Sequence, residues 1–148
     1  MPGHAATVHA TAVLVGAKAV LIRGASGAGK SRLALGLIDA VGTGGLRFAR
    51  LIADDRVILE AAHGRLVVRA PPPIAGLVEE RGRGILACAY EDLAVVGLIV
   101  DLAAADAARM PEGRALETVV EGVTVSRLPV ASGCDPLPLV LSLVQGRR

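Results

Sequence analysis

The stretch Leu21–Ile38, "LIRGASGAGKSRLALGLI", decides how this chain is read. Gly24, four residues, then Gly29-Lys30-Ser31 fits the Walker A pattern. Gly24, Gly27 and Gly29 let the backbone turn tightly, so that successive N–H groups face a phosphate. Gly24, Ala25, Ser26, Gly27, Ala28, Gly29, Lys30 and Ser31 are therefore the candidate nucleotide-binding residues. The helix that follows offers an N-terminus whose unpaired N–H groups and dipole favour an anion. Lys30 suits the transferring phosphate, and the Ser31 hydroxyl suits Mg²⁺. The pattern needs a strand before it and a helix after it. Ala19–Arg23 reads as that strand. Leu33, Leu35, Leu37, Ile38 and Val41, set among helix formers, predict a helix from Lys30 to Val41. Such a loop does not by itself distinguish a motor, a switch, a small-molecule kinase and a protein kinase.

Working outward, 148 residues are most simply one domain, 1–148, large enough to bury a core without staples. Phe48 and Tyr90 are the aromatic residues, so the core must be Val, Leu, Ile and Ala. So few aromatics argue against a single-strand nucleic-acid binder. The formal net charge is +2, and the arginines are scattered rather than gathered in a patch, which also disfavours nucleic acid. Lys18 and Lys30 are the two lysines, so a lysine inside a glycine-rich loop is less easily an accident. Cys88 and Cys134 form no C-x-x-C and read as plain thiols. No charged-then-apolar leader opens the chain, and no uncharged apolar run approaches the roughly 18 residues of a membrane span. A soluble, cytoplasmic protein without a membrane partner is expected.

The flanking sequence is rich in hairpin signals. Gly16-Ala17-Lys18, His63-Gly64 and Glu121-Gly122 each separate two β-rich runs. Residues 93–100, "LAVVGLIV", read as a buried strand. Asp135 and Pro136 open a C-terminal helix as N-cap and first residue. Strands in hairpins on both sides of one central helix predict an α/β fold with a mixed, hairpin-rich sheet, not a simple doubly wound one.

Three further clusters bear on chemistry. Asp54-Asp55 ends an apolar strand, where P-loop proteins hold Mg²⁺ or its water. On an extended chain the two carboxylates point to opposite sides, so one can serve the metal and the other can take a proton from an attacking hydroxyl. His9 lies on the strand that pairs with the one entering the loop, within reach of the phosphates. In Glu79-Glu80-Arg81-Gly82-Arg83-Gly84, a charge run of the kind usual in a solvated turn, the arginines suit phosphate or carboxylate recognition and a Glu can join an oxygen shell around Mg²⁺.

Taken together, His9, "RGASGAGKS", "LIADDRV" and "APPPIAGLVEERGRGI" resemble the catalytic domain of HPr kinase/phosphorylase over residues 7–102. The D-D-R-V and E-x-R-G-x-G pieces are far more specific than Walker A alone. The resemblance implies a nucleotide-binding core like that of phosphoenolpyruvate carboxykinase. It implies ATP- and Mg²⁺-dependent phosphorylation of a serine of the phosphocarrier HPr, reversal by inorganic phosphate, and a hexamer. Residue by residue, Asp55 resembles the acid/base carboxylate, with Asp54 its neighbour. His9 resembles the histidine near the phosphate, Ser31 and Glu79 the Mg²⁺ ligands, and Arg81 the signature arginine.

This chain starts almost at His9, so a short form without the N-terminal domain of longer members is expected. It departs from the common pattern at Ala10, Ala25 and Arg83. Arg109 and Arg114 are the candidates for the family's arginine-bearing loop, a weak match that leaves kinase activity better supported than phosphorylase activity. A small-molecule kinase on the same core and a catalytically inactive phosphate-sensing module are the alternatives.

Overall fold

The computed structural model describes residues 7–80, 82–107 and 113–145. Strands β1 (Thr7–Val15) and β2 (Lys18–Arg23) form a hairpin and lead into helix α1 (Lys30–Gly42). Strands β3 (Ala49–Ala53), β4 (Arg56–Ala62) and β5 (Arg65–Arg69) follow, then the short β6 (Leu77–Glu80) and β7 (Gly84–Ala87). The chain continues through β8 (Leu93–Leu102), β9 (Glu117–Val120), β10 (Val123–Val130) and helix α2 (Pro136–Val144).

The predicted hairpins form for the expected reason. His63 and Gly64 have φ of 52° and 75°, and Glu121 and Gly122 have 50° and 75°. Two successive left-handed residues give the turn whose twist matches that of paired strands. The charge run 79–84 is not a free turn. It joins β6 to β7, which pair as a two-stranded sheet of their own.

The large sheet closes on itself. β1 pairs with β2 and β4, β4 with β5, β5 with β8, and β8 returns to β2 in parallel. β3 adds to β1, and β10 and β9 extend from β8. The sheet is thus mixed, with parallel pairs at β2–β8 and β8–β10 and antiparallel pairs around them. Successive residues of a strand point to opposite faces, and here both faces are covered. Ala10, Ala12, Ala19, Leu21, Ile52 and Ala53 belong to one apolar cluster with Leu66, Val68 and Ile99, while Val20 and Ile22 join a second cluster with α1 and α2. Few strands leave a narrow interior, which accounts for the alanines and the scarcity of aromatics.

Helix α1 buries Leu33, Ala34, Leu37 and Ala40, at the spacing of one helical face, against the sheet. Each fully buried Leu or Val contributes about 1.5–3 kcal/mol relative to exposure. Helix α2 is capped as expected, with Asp135 Oδ1 accepting from Leu137 N at 3.1 Å. It lies close to α1 where Gly36 leaves room: a Cβ there would stand 3.1 Å from Leu137 Cδ2.

Candidate active site

Strand β2 delivers the loop to the N-terminus of α1. Gly27 and Gly29 have φ of 84° and 103°, a region where a Cβ is strained, so the sharp turn needs glycine. Gly24 is constrained differently. A Cβ there would meet Ala28 Cβ at 3.1 Å and Leu102 Cβ at 3.2 Å. Gly29 is the N-cap and offers no side-chain partner to the first helical N–H groups. Those groups and the helix dipole remain directed at the loop's concavity. Lys30, 6% exposed, folds into the loop, where Nζ donates to Gly24 O at 2.9 Å and Ala25 O at 3.1 Å.

The acidic pair takes two different positions, but not by strand alternation. Asp55 is left-handed, with φ of 71°, so the chain is not extended there. Asp54 is 6% exposed and accepts hydrogen bonds from three elements: Thr11 Oγ1 of β1 at 2.9 Å, Ser31 Oγ of α1 at 2.6 Å and Glu79 N of β6 at 3.0 Å. Three donors compensate the burial of its charge. The Asp55 side chain is 58% exposed and stands 3.5 Å, Oδ1 to Nδ1, from His9.

These groups line or border a cleft of about 660 Å³. Its floor is the loop from Ser26 to Ser31. Arg32, Leu35, Gly36 and Asp39 continue it along α1, and Asp55, Glu79 and Glu80 form the facing wall. Cys88 lies nearby. Burial pushes its thiol above the usual range, and the Asp54 charge adds to the effect.

The family model for the HPr Serine kinase C-terminal domain matches residues 3–135. This chain belongs to that family. An HPr kinase/phosphorylase of Lactobacillus acidophilus is 42% identical over 81 residues, which are 54% of this chain and 23% of that protein. One of Clostridium tetani is 34% identical over 102 residues, 64% of this chain and 31% of that protein. The matches thus span less than a third of these curated relatives. The structure of the Hpr(Ser) kinase/phosphatase from Coxiella burnetii superposes with a TM-score of 0.75 at 25% identity, covering 95% of this chain and 94% of that one. The α/β fold with its P-loop core is therefore that of the HPr kinase C-terminal domain.

Within this HPr-kinase fold, Lys30, Ser31, Asp54, Asp55, His9 and Glu79 all gather around one cleft. Arg81 and Arg109 lie outside the described residues. Among the described residues, no three His, Cys, Asp or Glu side chains converge as a metal cage. The Ser31 hydroxyl, oriented by Asp54, and Glu79 on the cleft wall could instead serve as sparse, hard oxygen donors of the kind that suits Mg²⁺, a cation that keeps several waters and shares substrate phosphates. The glycine-shaped loop and the inward Lys30 suit phosphates. No helix among the described residues is long and apolar enough to cross a membrane.

Two features escaped the sequence reading. Thr11, fully buried, bridges the acidic pair. Arg23, the last residue before the loop, is held by Asp101 through two hydrogen bonds of 2.6 and 2.7 Å. Asp101 also accepts from Arg127 at 2.6 Å, and Arg127 reaches Asp106 at 2.7 and 2.9 Å. The one signal in the sequence was a charged residue at the end of each of two apolar strands.

Proposed function

We propose that this protein is a cytoplasmic, ATP- and Mg²⁺-dependent kinase that phosphorylates a serine of an HPr-type phosphocarrier, working as a homo-oligomer, a hexamer by family resemblance. The observation that carries the reading is the placement of the half-exposed Asp55 carboxylate beside His9 and across one cleft from Lys30 and Ser31. Phosphoryl transfer needs positioning and charge neutralisation more than covalent chemistry. The loop N–H groups, the α1 N-terminus and Lys30 bind the phosphates. Ser31, oriented by Asp54, and Glu79 hold Mg²⁺, which when bound neutralises charge on the transferring group. Asp55 accepts the proton of the seryl hydroxyl as its oxygen attacks the γ-phosphorus of ATP and the bond to the bridging oxygen breaks, releasing ADP. His9 adjoins that carboxylate, with Nδ1 3.5 Å from Oδ1.

The test incubates the protein with ATP, Mg²⁺ and HPr-type carriers, and separately incubates phosphoserine carriers with inorganic phosphate. Serine phosphorylation in the forward assay is expected. Nucleotide binding without transfer to any carrier would overturn the protein-kinase reading. Transfer to a metabolite instead would replace it with a small-molecule kinase on the same core. Release of pyrophosphate in the reverse assay would add phosphorylase activity.

A further inference from the structure

We infer that Thr11 is the positioning residue of the acidic pair: its one hydroxyl fixes both the buried carboxylate of Asp54 and the left-handed turn of Asp55. The inference deepens the kinase reading and takes its catalytic consequence from it.

The register of β1 shows why a hydroxyl is needed. His9 pairs with Arg56 of β4, and Ala12 pairs with Ala53 of β3. Continuing that register sets Ala10 opposite Asp55 and Thr11 opposite Asp54, with no inserted residue. Ala10 N donates to Asp55 O at 3.1 Å, as an antiparallel ladder requires. The return bond of such a pair would run from Asp55 N to Ala10 O. Asp55 N donates instead to Thr11 Oγ1, at 3.1 Å. That exchange accompanies the departure of Asp55 from the extended conformation to φ 71°. Its carboxylate then stands at the cleft beside His9.

The same oxygen works in the other direction. Thr11 Oγ1 has a single proton, and it donates that proton to Asp54 Oδ1 at 2.9 Å. Asp54 Oδ1 is also the acceptor for Ser31 Oγ. A hydroxyl that accepts from one residue and donates to the next leaves no free orientation. Its residue is 0% exposed, so water is not an easy replacement. Valine has nearly the same shape and can do neither job. Serine can do both.

The test compares Thr11→Val, Thr11→Ser and Thr11→Cys with the wild-type protein, by residue-resolved amide exchange and by steady-state kinetics. In Thr11→Val the Asp55 amide should exchange more than about tenfold faster, while the amides of the strand-paired Ala12 and Val20 stay protected, because both bonds lost are local to the acidic pair and only the Asp55 amide loses its acceptor. The carrier assay should show kcat lowered roughly 10- to 100-fold with KM for ATP within about threefold. Thr11→Ser should restore both readouts, and Thr11→Cys, a weaker hydrogen-bonding group, should fall between. If the valine variant fails to fold, the cysteine and serine pair carries the comparison. Wild-type exchange at Asp55 in Thr11→Val, or fast exchange with an unchanged kcat, would overturn the inference. If the wild-type protein phosphorylates no carrier, the kinase reading fails, yet amide exchange still decides whether Thr11 sets the turn.

Discussion

Ser31 Oγ donates to Asp54 Oδ1 across 2.6 Å, joining the first turn of α1 to the end of β3. A hydrogen bond to a buried carboxylate is worth about 1.5–3 kcal/mol. Ser31→Ala should therefore cost nucleotide affinity chiefly when Mg²⁺ is present, by roughly 10- to 100-fold. Calorimetric titration with ATP, with and without Mg²⁺, measures the difference. An equal loss in both would remove Ser31 from the metal site.

Asp55→Asn isolates the proton step. Asparagine tolerates the left-handed backbone nearly as well as aspartate, so the turn should survive. Loss of a general base typically costs about 10²–10⁴-fold in rate. Turnover should fall by that much while ATP binding stays close to wild type. A variant with full kinase rate would show that another group takes the proton.

The Asp101 cluster should contribute to acid stability. Burial alone would push the Asp101 carboxyl up, but the hydrogen bonds and charges of Arg23 and Arg127 outweigh it and hold the carboxyl below the usual range. A depressed folded value means that the stabilisation is complete above the unfolded value, about 3.9, and is lost as pH falls through the folded value. Asp101→Asn should lower unfolding free energy by about 1.5–3 kcal/mol near neutral pH, and the gap should shrink only below about pH 4. Urea midpoints measured across that range give the curve. A gap that closes well above pH 5 would assign the acid limb to another group.

Cys88 reports on the acidic centre. Its thiol is pushed up by burial and then by Asp54, whereas Cys134 is exposed. Iodoacetamide should label Cys134 at least about tenfold faster near pH 8, because the thiolate is the reactive form. Asp54→Asn should speed labelling of Cys88 without changing Cys134. Peptide mapping by mass spectrometry follows both sites.

Gly24→Ala tests close packing at the start of the loop. The new methyl would crowd two Cβ atoms, neither of which can rotate away. Overpacking of this kind costs about 1–3 kcal/mol. Lower thermal stability and weaker nucleotide binding are expected together. Unchanged affinity would mean that the loop absorbs the shift without moving its N–H groups.

How far the sequence could be read follows from which interactions are local. The loop, the helix from Lys30, the glycine-marked hairpins and the Asp135 cap depend on neighbours in the chain, and each formed where expected. Asp54 and Asp55 are legible as a pair whose side chains take different positions. Their division was assigned to strand alternation, whereas Asp55 turns left-handed against a hydroxyl 44 residues away. The run from Glu79 to Gly84 read as a turn because its partner strand is short and its charges are conspicuous. Asp101 lies 78 positions from Arg23 and 26 from Arg127, so no local pattern could join them. The closing of β8 onto β2 is likewise a long-range pairing, invisible to periodicity.

That closure has a mechanical consequence. β2 is hydrogen-bonded along both edges, to β1 and to β8, so the phosphate loop springs from a strand with no free side. The opposite wall of the cleft includes Glu79 and Glu80 of β6, a strand that pairs only with β7 among the described strands. The cleft thus has an anvil on one side and, facing it, a wall tied to the centre through Glu79 N and Asp54 Oδ2. The seat of the loop is therefore set by the sheet on both edges of β2, and the facing wall is registered to it through the acidic pair.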